Sequence, residues 1–276
     1  MQKRWKWFSI CFLTVVLLLA GADWGNAYST ITVNVLIHNG TNASSNCVNG
    51  TVACLSTSNV SNLIPGVWFT WGFNGTINAT TLSGYDVLVM PGGNGFGSGY
   101  RVDSNINAND IRTWVASGKG YFGTCAGAYG GSYITYNYAP STTSILYYAW
   151  GVAPHINALA VSYNGNLTLS MTSAGQYTLN YSGIQTLDHE SGPAMKANSP
   201  GAIVFATYAD SNTGYPGHIA IVGDTYGSGR TILCGPHPEL TSPRKSEMVA
   251  RMAAWAGKAI DTQIPIELVD FDAVIE

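Results

Sequence analysis

Charge is what this sequence has least of. Of 276 residues, 12 are Lys or Arg and 15 are Asp or Glu, a charged fraction of 10% with a net charge of −3. There is no basic run of the kind that neutralises phosphates, so nucleic acid is not an expected partner. After residue 22 no apolar stretch is long enough to span a bilayer, so a membrane is a partner only if the N-terminal segment stays attached. No internal repeat and no second domain boundary can be found. The sequence therefore has to make its surface from Asn, Ser, Thr, Tyr and Gly.

The N-terminus departs from this pattern. Met1 to Trp7 carries Lys3, Arg4 and Lys6, and Phe8 to Ala22 is apolar and uncharged. Small-residue contexts follow, ending at Ala22 or Ala27. Residues 1–27 are expected to be a signal peptide or an uncleaved anchor, and 28–276 a single domain, secreted or held at the cell surface. Asn-x-Ser/Thr sequons at Asn39, Asn42, Asn49, Asn59, Asn74, Asn78, Asn166 and Asn180 are glycosylation candidates in such a chain. Among the five cysteines, Cys11 lies in the leader. Cys47 and Cys54, separated by six residues in a polar segment, are expected to close a small disulfide. Cys234 ends an apolar run and reads as a buried small hydrophobe.

Ile31 to Ile37, Val67 to Phe73 and Tyr85 to Met90 read as strands, the last uncharged after Asp86 and therefore buried on both faces. Residues 39–62 read as a polar loop turning helical near Val60. Asn109 to Ser117 reads as a helix capped by Asn109 or Asp110 and ended by Gly118. Tyr121-Phe122 is a short strand, and a helix begins at Ala126. This βαβ succession predicts an α/β fold, a mostly parallel sheet with helices on both faces. Val161 to Tyr163 and Leu167 to Ser170 suggest an antiparallel excursion. Ala202 to Tyr208, His218 to Val222 and Arg230 to Cys234 are further strands. Ser242 to Ile260 is a helix with Met248, Met252 and Trp255 on one face, and an edge strand is expected after Gln263.

Three loops at strand ends carry chemistry. In Gly123-Thr-Cys125-Ala-Gly127 a strand breaks into a helix at a nucleophilic residue flanked by small ones, the logic of a nucleophile elbow. In Gly235-Pro-His237-Pro-Glu239, His237 can serve as base and Glu239 as its orienter. In Pro91-Gly92-Gly93, backbone N–H groups can approach a ligand closely. The N–H groups of Gly93 and Ala126 are candidates for an oxyanion hole, with Gly92 beside them. Asp188-His189-Glu190 holds three ligand types, but adjacent residues rarely face one ion, so no metal is expected there.

Together with Gly120-Tyr-Phe-Gly-Thr-Cys-Ala-Gly-Ala-Tyr129, Ser191-Gly-Pro193 and Tyr226-Gly-Ser-Gly-Arg230, these motifs resemble the class I glutamine amidotransferase-like superfamily. Within it they resemble the biotin–protein ligase N-terminal-like group. The resemblance covers roughly residues 31–260. It implies a flavodoxin-like sheet and a triad of Cys125, His237 and Glu239. Tyr129 stands where glutamine-using members carry Gln, and no ligase domain accompanies the chain. The expected activity is a Cys-dependent amidohydrolase or peptidase on a small molecule or peptide, without a cofactor. A non-catalytic ligand- or glycan-binding module, or a redox sensor at Cys125, are the other readings of the same residues.

Overall fold

The computed structural model describes residues 30–137 and 144–262. The expected leader and the edge strand after Gln263 lie outside them. The chain runs through β1 (Ile31–His38), α1 (Ser45–Ser61), β2 (Val67–Asn74), α2 (Ala79–Leu82), β3 (Val87–Met90), a 3-10 turn (Gly95–Gly97), α3 (Ser98–Val102), α4 (Ala108–Ala116) and β4 (Gly120–Thr124). It continues through α5 (Ala126–Gly131), β5 (Ile134–Tyr136), β6 (Ile145–Tyr148), β7 (Ile156–Leu159), β8 (Asn164–Met171), α6 (Ser173–Leu179) and β9 (Ile184–Glu190). It closes with β10 (Ala194–Ala197), β11 (Ile203–Tyr208), β12 (Ile219–Tyr226), β13 (Gly229–Cys234) and α7 (Ser246–Ala256).

The centre is parallel, in the order β2-β1-β3-β4-β13, the flavodoxin-like arrangement. β3 and β4 are buried along their whole length, which is why they read as apolar runs without alternation. The period of two nevertheless sorts their side chains into two cores. Val33, Val35, Ile37, Val89, Phe122, Ile232 and Cys234 face α1 and α7, whose Leu55, Met248, Met252 and Trp255 complete that layer. Leu36, Leu88, Met90, Tyr121 and Leu233 face the other way, against Ile111 and Val115 of α4. β1 thus leads to a helix on one face and β3 to a helix on the other. The crevice between their C-terminal ends is the switch point where such sheets bind ligands.

Beyond β13 the sheet turns antiparallel, apart from the parallel pairing of β5 with β7. β12 pairs with β13 and then forks, one branch running β10-β7-β5-β6 and the other β11-β8-β9. The antiparallel excursion is real, and larger than two strands.

Five expectations need correction. Residues 45–61 are a helix, so only the first part of 39–62 is loop. Cys47 and Cys54 are both free thiols. Seven residues of helix set their Cα atoms about 10 Å apart, beyond the reach of a disulfide. α4 is capped by Asn107, whose side chain accepts from the N–H groups of Asn109 and Asp110. Val161 to Tyr163 is no strand: the Val161 N–H donates to the Tyr129 hydroxyl at 3.1 Å and the Tyr163 carbonyl accepts from Ser191 N–H at 2.8 Å. The last helix is also shorter than Ser242 to Ile260, running Ser246–Ala256: Pro243 keeps Ser242 out of it, Lys245 is its non-helical N-cap and Gly257 its C-cap.

Candidate active site

All three motif loops sit at the C-terminal ends of the parallel strands. β4 ends at Thr124, α5 starts at Ala126, and Cys125 alone makes the turn with φ 50° and ψ −107°. Few non-glycine residues adopt positive φ, and those that do cluster at functional sites. Small neighbours allow the turn: a Cβ on Gly123 would strike the Gly127 carbonyl, and one on Gly127 the Met90 carbonyl. The Cys125 N–H donates to the Cys234 carbonyl at 2.8 Å, tying the elbow to β13. Its thiol donates to the Glu190 carbonyl at 3.3 Å.

Cys125 lines a cleft of about 230 Å³ with Gly93, Gly95, Phe96, Glu190 and Ser191. Two walls were not singled out as site residues from the sequence. Phe96 lies in the 3-10 turn at φ 52°, and its ring meets that of Tyr129 edge-on at 5.7 Å. Ser191 also has positive φ and follows β9. Tyr129 is fully buried and bridges the wall: its hydroxyl donates to the Ser191 carbonyl at 3.1 Å and accepts from Val161.

His237 and Glu239 come together as the sequence predicts. Nδ1 of His237 lies 2.8 Å from Oε1 of Glu239, and both side chains are about 1% exposed. The His237 backbone is fixed on both sides: its N–H donates to the Asp188 carbonyl, and its carbonyl accepts from Thr241 Oγ1, each at 2.8 Å. Nε2 is buried without a hydrogen-bond partner. Burial alone would lower the imidazole pKa. The Glu239 carboxylate, and then the charge of Cys125, outweigh burial and hold it well above the ordinary histidine value.

The two glycines of the β3 loop do different things. Gly93 lines the cleft. The isolated bridge it forms with Ala43 uses the Gly92 carbonyl and the Asn94 N–H, leaving the Gly93 N–H out of the pairing. Gly92 backs onto His237: a Cβ there would come 2.5 Å from Cε1 of His237 and 2.7 Å from Sγ of Cys47.

Cys47 is the residue the sequence reading misplaced. Its thiol lies 3.6 Å from Nδ1 of His237. Burial is the main reason its pKa is raised, while the His237 hydrogen bond opposes the rise. Its ligand atom lies within 4.8 Å of those of His237 and Glu239. The available signal was its place nine residues after the end of β1, the first strand of an α/β sheet. The triplet at 188–190 behaves differently. His189 is buried, with Nδ1 3.0 Å from the Tyr163 carbonyl, while Glu190 on the opposite pleat is exposed.

No family model matches the chain, and no curated protein matches it. Solved structures do. PurLQS from Thermotoga maritima superposes with a TM-score of 0.52 at 13% identity, covering 81% of this chain and 98% of that one. A Thermoplasma acidophilum protein described as a GMP synthase component gives 0.51 at 13%, covering 81% and 95%. A ThuA-like protein from Bacteroides uniformis gives 0.51 at 12%, covering 81% and 91%. At such identities the likeness is one of fold: the chain has the α/β fold seen in class I glutamine amidotransferase domains.

Proposed function

We propose that this protein is an exported cysteine-dependent hydrolase that cleaves an amide or ester bond of a small molecule or peptide. The observation that carries the reading is the strained Cys125 at the cleft, together with the buried His237–Glu239 pair, whose imidazole is held above its ordinary value against burial by the Glu239 carboxylate and then the Cys125 charge. Export rests on the charged-then-apolar pattern of residues 1–22. The finer kinship, with the biotin–protein ligase N-terminal-like group, rests on the strings around Cys125, Ser191 and Tyr226.

In this mechanism Sγ of Cys125 attacks the carbonyl carbon and its proton resides on His237. An imidazolium held by Glu239 favours the attacking sulfur anion beside it. The carbonyl oxygen becomes an oxyanion facing the N–H groups of Gly93 and Ala126. As the tetrahedral centre collapses, the C–N or C–O bond breaks and the leaving group takes the proton from His237. The remaining thioester is attacked by water, whose proton returns to His237, and the acid product departs. Glutamine is not the favoured substrate, because Tyr129 occupies the position of the glutamine-users' Gln and is committed to holding Ser191.

The test is the rate at which iodoacetamide alkylates Cys125 at neutral pH in chelator-treated protein, read by peptide mass. His237→Ala is expected to slow it about a hundredfold, the usual scale for loss of a proton-transfer partner. Equal rates in the two proteins would leave a ligand-binding module of the same fold as the better account.

A further inference from the structure

We propose that Cys47, His237 and Glu239 form a binding site for a thiophilic divalent cation, zinc being the best match to the ligand set, and that filling it disables Cys125. The disabling rests on the hydrolase reading above, but the binding does not.

The donors are a thiol, an imidazole and a carboxylate, brought together from α1 and the loop after β13. All three side chains are buried, and their ligand atoms lie within 4.8 Å of one another. Zinc bonds of about 2.3 Å to sulfur and 2.0–2.1 Å to nitrogen, at a tetrahedral angle, place S and N about 3.6 Å apart. Sγ of Cys47 and Nδ1 of His237 are 3.6 Å apart. Nδ1 and Oε1 of Glu239, at 2.8 Å, have to open by a few tenths of an ångström to admit the ion. The second carboxylate oxygen, Oε2, is buried without a partner. A buried carboxylate oxygen left unpaired is costly, and a cation would satisfy it. α1 packs closely here: a Cβ on Gly50 would come 2.8 Å from the Glu239 carbonyl.

Loading releases the thiol proton of Cys47 and the proton that Nδ1 gives to Glu239. The metal then occupies the Nδ1 lone pair, so the ring carries its one proton on Nε2 and cannot accept another. His237 is left unable to serve Cys125, and the Glu239 charge is spent on the ion.

The experiment is a titration of the metal-free full chain with Co²⁺, reading the thiolate-to-cobalt charge-transfer absorption. Wild type, Cys54→Ser and Cys125→Ser are expected to bind one ion, and Zn²⁺ to displace it. Cys47→Ser is expected to lose the band and at least about a hundredfold in affinity, beyond the 10–100-fold that even outer partners contribute. If Cys47→Ser does not fold, Glu239→Gln is the second ligand deletion and the same loss of affinity is expected. Absence of the band in wild type, its survival in Cys47→Ser, or its loss in Cys125→Ser overturns the proposal. A parallel arm measures Cys125 alkylation with Zn²⁺ present. Slowing in wild type but not in Cys47→Ser is expected, and equal rates with and without Zn²⁺ in wild type overturn the disabling. Normal alkylation with no Co²⁺ bound sinks the cation site alone. An inert Cys125 with one Co²⁺ bound through Cys47 supports the site and sinks the hydrolase reading.

Discussion

Gly92 has no side chain, and that absence is what lets Cys47 and His237 sit against the β3 loop. With a methyl 2.5 Å from Cε1 of His237 and 2.7 Å from the Cys47 sulfur, something must shift. Gly92→Ala is therefore expected to displace the imidazole. The cost in stability should be about 1–3 kcal/mol, the range for overpacking. Cys125 alkylation should fall out of proportion, toward the level of His237→Ala. Chemical denaturation and the alkylation rate, measured on one sample, separate the two effects. An unchanged rate would mean that the ring has room to spare.

Glu239 is the other residue whose effect has a definite sign. Burial lowers the His237 pKa, and the carboxylate is the largest influence in the other direction. Glu239→Gln keeps the shape and removes the charge, so the imidazole pKa is expected to drop, as followed by the ring carbon-bound protons in NMR titration. A pKa that stayed high would assign the effect to Cys125. The turn at Cys125 and the pairing of His237 with Glu239 were legible in the sequence because small residues flank the one and prolines stiffen the other. Cys47 was not, because nothing beside it marks it as more than a thiol in a polar stretch.

At the scale of elements the same distinction recurs. α1 hid because its buried stripe is Cys47, Val48, Gly50, Thr51, Cys54, Leu55 and Ser58, in which only Val48 and Leu55 are aliphatic, too few for a search for apolar periodicity to find. Its Asn, Ser, Thr and Gly content is poor in helix propensity, so packing against β2 and α7 holds it. Thr51 even turns its hydroxyl back to the Cys47 carbonyl at 2.9 Å. The sequon at Asn59 is likewise already used, both ends of its carboxamide pairing with the Phe69 backbone. α7 showed plainly, since Met248, Met252 and Trp255 are large. Trp255 is buried against Phe205, ring to ring at 5.6 Å, and Trp255→Ala is expected to cost about 3–5 kcal/mol by urea denaturation. For α4 the question was which residue caps. Asn107→Ala should lose about 1 kcal/mol, while Asn109→Ala, off the cap, should stay within about 0.5 kcal/mol. The reverse order would restore the sequence-based start of that helix.

At the scale of the molecule, the parallel half of the sheet could be read and the antiparallel half only glimpsed. β1, β3, β4 and β13 are buried on both faces and appear as apolar runs. β5, β6 and β10 have only three or four residues each, too few for alternation to show. The segment after β7 spends its backbone groups on Tyr129, Ser191 and His189 and not on a ladder. His189 lies where the β8–β9 branch meets the site. Its Nδ1 faces the Tyr163 carbonyl, and its Nε2 lies 3.4 Å from the Tyr208 hydroxyl.

That placement couples the joint to pH. Burial is the main cause that pushes the His189 pKa down, to about 4 from 6.5. Between those values the unfolded chain binds a proton that the folded chain refuses, so stability rises with pH across the window. The contribution is complete above pH 6.5 and is lost as pH falls toward 4, about 3 kcal/mol in all at 1.36 kcal/mol per unit. Carboxylates titrate in the same range, so the informative quantity is a difference. Urea denaturation of wild type and His189→Asn, which keeps a donor near Nδ1 but does not titrate, should give curves that separate with pH. Below pH 4 the variant's disadvantage is smallest, and it grows by about 3 kcal/mol on reaching neutral pH. Parallel curves would mean that the imidazole takes up its proton in the fold as readily as outside it, with Tyr208 and the nearby backbone able to receive the extra N–H.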